Sequence, residues 1–204
     1  MTFMQRAAII CCSIFLPAVC AAAAGAPHRV GGIVLGAEID AFQKHIVPGS
    51  TLPVRYLESL KEAEVRQTPG FKTGLVYYGT CATPSRIVRI EFKYEDPSKS
   101  FYEELLKRFK QRHGEPAEWR GDPFHIVVGW KWKFVDRKGN DISLILKHNK
   151  RDDEKKEGNY VKMTMWNLMR LENECNQDKL QEDTGSADTG PEAGPIDWDL
   201  LVPR

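Results

Sequence analysis

The chain has 204 residues and a formal net charge of +1; 42% of it is hydrophobic, 10% aromatic and 28% charged. This is ordinary globular composition, which excludes a collagen, a coiled-coil rod and disorder along the whole length. A near-zero net charge gives no support for a nucleic-acid binder, which carries a basic excess.

Residues 1–24 read as an export signal. Arg6 is its only charge, an apolar run spans Ala7 to Leu16, Pro17 breaks it, and the Ala-x-Ala site Ala22-Ala23-Ala24 follows. The apolar core before Pro17 is too short for a bilayer span, which needs about 20 residues. Cleavage would therefore leave no stable membrane span. A lipid anchor at Cys20 is disfavoured, because Pro17-Ala18-Val19 is a poor lipobox. The expected location is periplasmic or secreted.

Cys11, Cys12 and Cys20 leave with the leader, so Cys81 and Cys175 remain as an even pair in an oxidising compartment. No Cys-x-x-Cys is present and no histidine lies close to either in sequence. A Cys81–Cys175 disulfide is expected. Closing so long a loop stabilises by on the order of 4–5 kcal/mol in the chain-entropy model.

The folded part is expected over residues 28–175. Residues 30–36 form a short apolar strand or lead-in, and 37–46 a helix with Ile39, Phe42 and Ile46 on one face, stopped by Pro48-Gly49. Strands are expected at 53–60 and 74–80, with 62–69 ambiguous between them. In 85–94, Val88, Ile90, Phe92 and Tyr94 alternate with Arg89, Glu91 and Lys93, a strand with one wet face. Ser100 with Glu103 suggests a capping box for a helix whose apolar stripe is Phe101, Tyr102, Leu105, Leu106 and Phe109, ended by Gly114 and Pro116. A hairpin follows: Val128 to Phe134, turn residues 136–141, then Ile142, Leu144 and Leu146 on the returning face. Residues 150–158 read as a charged loop, 160–168 as a last strand and 168–175 as a short helix. The fold class is α+β, an antiparallel sheet with helices packed on one face. Each half is a helix followed by about three strands, which raises the suspicion of an internal duplication.

Residues 176–204 carry seven acids against Lys179 and Arg204 and are rich in Gly, Pro, Ser and Thr. A disordered acidic tail is expected, because so little apolar area does not offset the entropy of ordering. Its acidic aromatic segment around Trp198 is a candidate for docking into a basic groove.

Leu35-Gly36 ahead of a short helix, and a helix ending in His113-Gly114-Glu115-Pro116 before a Trp-bearing hairpin, resemble small secreted bacterial proteins of unassigned function. The Leu-Gly-then-helix opening also resembles the BamE (SmpA/OmlA) outer-membrane lipoprotein domain and the β-lactamase-inhibitor-like fold. The resemblance implies a helix-plus-sheet module for envelope assembly or protein binding, without catalysis. The lipobox of the first family is missing.

No nucleophile elbow, zinc-protease helix, phosphate loop or dinucleotide fingerprint occurs. Asp122 and His125 are three apart, a spacing open to general-base chemistry, but Pro123 between them favours a surface turn. Around His148, the acids Asp152, Asp153 and Glu154 interleave with lysines that would repel a cation. No catalytic residue, cofactor or metal is assigned. Trp130 and Trp132 alternate with Lys131 and Lys133; two such tryptophans are usually core, and on an open face they would anchor a partner. The lysines then share the opposite face with Arg89 and Lys93, and lie close to them if the strands are neighbours. The candidate binding surface is Trp130, Trp132, Lys131, Lys133, Arg89 and Lys93, with Trp198 of the tail. The reading is an exported, non-catalytic module for an envelope protein partner. A small secreted hydrolase or a secreted enzyme inhibitor is the alternative.

Overall fold

A computed structural model describes residues 25–150 and 158–185. Residues 1–24, which include Cys20, residues 151–157 and residues 186–204, which include Trp198, lie outside the described residues. Among those described, no helix is long and apolar enough to cross a membrane.

The chain opens with a small hairpin, β1 (Arg29–Val30) and β2 (Ile33–Val34), followed by a 3-10 helix at Ile39–His45. Then come β3 (Leu52–Val54), β4 (Leu57–Val65), β5 (Phe71–Gly79) and β6 (Ile87–Tyr94). Helix α1 (Lys99–His113) leads into β7 (Glu118–Trp119), β8 (Val127–Val135), β9 (Asp141–Asn149) and β10 (Asn159–Met165), and α2 (Trp166–Gly185) follows. Strands β3 to β10 form one antiparallel sheet in the order β3-β4-β5-β6-β10-β9-β8-β7. This is the α+β class expected. The architecture is duplicated: a helix followed by a four-stranded meander occurs twice, and the two last strands, β6 and β10, pair at the centre.

Inward alternation builds the main core on one face of the sheet. Ala63, Val76, Ile90, Phe92, Val161, Met163, Leu144 and Trp132 point to it, and the hairpin, the 3-10 helix and α1 cover it through Ile33, Leu35, Ile39 and Tyr102. The third helix takes the other face. Met169 of α2 packs on Leu60 and Val88, a second and smaller apolar cluster. The helices thus sit on both sides of the sheet.

Local chemistry explains where the elements differ from expectation. The strand expected over 53–60 is broken by a tight turn at Arg55-Tyr56, where Tyr56 takes a left-handed φ of 65° and Val54 pairs back with Leu57. The last strand stops at Met165, not Leu168. Leu168, Met169, Glu172 and Cys175 recur at helical spacing and bring the chain onto the second face. The helix runs on to Gly185, ten residues into the segment expected to be disordered.

Ser98, not Ser100, caps α1: its Oγ accepts the Phe101 N–H at 3.3 Å. Asp96 accepts the Ser98 N–H at 2.8 Å and sets the cap in place. The helix thus starts one residue past Ser98, and Glu103 pairs with Lys99 at 3.1 Å instead of closing a capping box. Ser98→Ala is expected to cost about 1 kcal/mol in urea unfolding, whereas Ser100→Ala changes stability by less than about half that. Gly114, at φ 78°, ends the helix, and Trp132 Nε1 donates to its carbonyl at 2.8 Å.

Candidate functional site

The face of the sheet opposite α1 is the candidate interaction surface. Directly paired residues of antiparallel strands share a face, so the register reads it out row by row. One row is Glu64, Leu75, Glu91, Lys162, Ile145, Lys131 and Glu118. On one side of it run Glu62, Tyr77, Arg89, Thr164, Ser143 and Lys133. On the other run Lys93, Tyr160, Lys147 and Gly129. Six cations (Arg89, Lys93, Lys131, Lys133, Lys147 and Lys162) thus share the face with the carboxylates of Glu62, Glu64, Glu91 and Glu118, and Asp141, two residues before Ser143 on β9, adds a fifth.

The carboxylates organise the cations into two clusters. Glu91 lies 3.5 Å from Lys162 and 3.9 Å from Arg89 at the sheet centre. Glu118, on the short edge strand β7, takes Lys133, Arg120 at 2.8 Å and Lys131 at 3.5 Å. Its hydrogen bond to Lys133, with Lys131 and Arg120 nearby, holds the Glu118 carboxyl below its ordinary range. Lys131 is nearly buried, which a lysine tolerates only when paired. Its Nζ also lies 5.9 Å from the centre of the Trp166 ring. Burial, with Glu91 and Glu62 beside it, pushes the Tyr77 phenol well above its ordinary value, so it stays neutral.

Helix α2 crosses only part of this face. At its start, Trp166 Nε1 donates to Ser143 Oγ at 2.9 Å, and the ring stays 37% exposed. Beside it a hollow of about 430 Å³ is lined by Lys131, Lys133, Asp141, Ser143, Trp166 and Arg170, with Arg170 held by Asp141 at 3.0 Å. An aromatic wall beside three cations, each already paired with Glu118 or Asp141, suits a partly apolar group whose carboxylate competes for those pairs.

The sequence-selected residues divide between the two faces. Trp130 and Trp132 are on the α1 side. Trp132 is 2% exposed and packs on Phe109 with ring centres 5.7 Å apart; Trp130 packs edge-on to Trp119 at 5.0 Å. Neither belongs to the open face. Lys131, Lys133, Arg89 and Lys93 do share that face, but their strands are not neighbours: β10 and β9 lie between β6 and β8. The intervening strands add Lys162 and Lys147, which the local pattern had not singled out.

Asp122, His125 and His148, the groups the sequence offers for chemistry, are engaged in structural contacts. Asp122 accepts the N–H groups of Phe124, Ile126 and Val127, which pulls its carboxyl below the usual range and shapes the loop that presents Phe124. His125 packs on Trp119, not on Asp122. His148 Nδ1 meets Asn159 Oδ1 at 2.8 Å, and Asn159 Nδ2 donates to the carbonyls of Asp96 and Ser98. With the amide oriented by two carbonyls, its oxygen is the acceptor and His148 carries the proton on Nδ1. The pair ties the β9–β10 end to the start of α1. No group of three potential metal ligands occurs among the described residues.

The remaining buried carboxylate, Glu172, went unnoticed in the sequence. It is fully buried and accepts four bonds from the loop after β5: the N–H groups of Thr80, Cys81 and Thr83, and Thr83 Oγ1 at 2.8 Å. One helical turn on, Cys175 forms the disulfide with Cys81, Cα atoms 6.0 Å apart. Gly79 lies against the Glu172 carboxylate and the Thr83 carbonyl, leaving no room for a Cβ. Comparison with protein-family models, curated proteins and solved structures returns no significant match.

Proposed function

We propose that the chain is an exported, non-catalytic protein-binding module that engages an acidic partner through the open face of its sheet. The observation that carries this reading is the face itself. It is a broad antiparallel surface, crossed only in part by α2, that holds six cations against five carboxylates around the exposed edge of Trp166. Such a field attracts an acidic surface from a distance, and the aromatic provides the contact that persists once water is excluded. The engagement of Asp122, His148 and Glu172 in holding loops and strand ends supports a binding role over hydrolysis. The leader-like residues 1–24 and the Cys81–Cys175 disulfide support export to an oxidising compartment.

The test is a crosslinking pull-down from an envelope extract, comparing the chain with a Lys93→Glu, Lys133→Glu variant. Both substitutions lie on the open face and neither enters the core. A partner held by the parent and lost at least tenfold in the variant, with retention falling as salt rises, is the expected result. Equal capture by both proteins overturns the assignment of this face. A Phe124→Ala variant, altered at the exposed tip of the β7–β8 loop, is expected to capture as the parent does.

A further inference from the structure

On the α1 side of the sheet a cleft of about 300 Å³ opens in the seam between the β1–β2 hairpin and α1. Its floor is the centre of the molecule: Tyr94 of β6, Val161 and Met163 of β10, and Leu144 of β9, all buried. Leu105 and Phe109 of α1 form one wall. The depth of the cleft is therefore apolar, and its mouth is not. Arg29 of the hairpin and Arg108 and Arg112 of α1 line the same opening, all three exposed. Arg108 is held by Glu104 at 2.8 Å. Arg29 and Arg112 have no carboxylate partner among the described residues. His113, at the end of α1, also lines the cleft, and its Nδ1 is buried without a hydrogen-bond partner.

A cation in the last turn of α1 complements the helix dipole, which accounts for Arg112 by itself. It does not account for Arg29, which a separate element brings to the same mouth. We propose that this cleft binds an amphiphile with one alkyl chain and one carboxylate, the chain lying on Val161 and Met163 and the carboxylate between Arg29 and Arg112. Guanidinium groups match a carboxylate with paired N–H donors. The volume is at the low end of small-molecule sites, roughly 300–1,000 Å³, which suits a single chain and excludes a two-chain lipid. The cleft is on the opposite side of the sheet from the charged face, so this site stands or falls independently of the partner surface.

Isothermal titration of the full chain with decanoate, below its micelle range, tests the proposal. Saturable one-to-one binding is expected. Arg29→Ala combined with Arg112→Ala is expected to weaken it at least tenfold, and 1-decanol is expected to bind the parent at least tenfold more weakly than decanoate. Leu105→Trp, which fills the cleft from its half-buried wall, is expected to abolish binding; near-ultraviolet circular dichroism reports whether it folds. The double arginine variant changes only exposed side chains, so the test survives a misfolded Leu105→Trp. No saturable binding to the parent overturns the site. Binding that the double arginine variant retains in full, or equal affinity for decanol and decanoate, overturns the carboxylate assignment.

Discussion

Glu172→Ala is expected to lower the stability of the protein by about 3–5 kcal/mol, a drop of about 6–20 °C in Tm at this chain length. The side chain is fully buried on α2, and its two oxygens take three N–H groups and one hydroxyl from residues 80–83. Truncation removes the acceptor for all four donors at once and leaves them where water reaches poorly. An unsatisfied buried donor costs about 1–3 kcal/mol, and relaxation of the loop recovers part of the total. Glu172→Gln keeps one acceptor oxygen but turns an amide N–H toward the loop donors, so an intermediate loss is expected. Urea unfolding with the disulfide intact measures both. A loss below about 1 kcal/mol for the alanine variant would remove Glu172 from the account of what holds α2 to the sheet.

Removing the disulfide, by Cys81→Ser with Cys175→Ser, is the second large effect. The bond spans 94 residues of sequence, and the chain-entropy model assigns such a loop about 4–5 kcal/mol. It fastens the same loop to the same helix as Glu172 does, one turn further along. The two tethers are therefore coupled. With either in place, the loop stays near α2 and the other re-forms readily. A double-mutant cycle of Glu172→Ala with the serine pair is expected to give a combined loss exceeding the sum of the separate losses by about 0.5–3 kcal/mol. Additive losses would mean that the two contacts hold the loop independently.

Much of the fold was legible because it is local. The alternation from Arg89 to Tyr94 and over 127–135, the turn residues 136–141, the apolar stripe of α1 and its end at Gly114 all appear in the structure. Val88 departs from the expected face, because the β5–β6 register shifts beside it and turns it onto Leu60 and Met169. The two cysteines outside residues 1–24 are the pair that bonds. What was not legible depends on partners distant in sequence. Nothing near Arg89 or Lys133 indicates that β10 and β9 come between their strands, since β10 returns to the sheet centre from the far end of the domain. The same holds for Glu172, a charged residue among charged neighbours until the 80–83 loop is placed against it. Trp130 and Trp132 show a different limit. Period-2 patterning separates them from the lysines correctly, but it does not tell which face α1 covers. Ser98 and Ser100 are a subtler case, decided by Asp96 fixing the backbone two residues before Ser98.

The pairing of β6 with β10 has a consequence for how the chain must be made. Both outer strands of the finished sheet are short, three residues in β3 and two in β7, and Pro53 sits in the first of them. These are edges that resist pairing with other molecules. An emerging chain has no such protection. Until residues 159–165 are available, the eight-residue β6 is itself an edge, long and rich in Val, Ile and Phe. The last strand to leave the ribosome is the one that seals the middle of the sheet. During synthesis and any passage across a membrane, the protein therefore carries its most aggregation-prone border inside its future centre. A chain that ends before residue 159 is expected to accumulate as insoluble material and not as a stable half-domain.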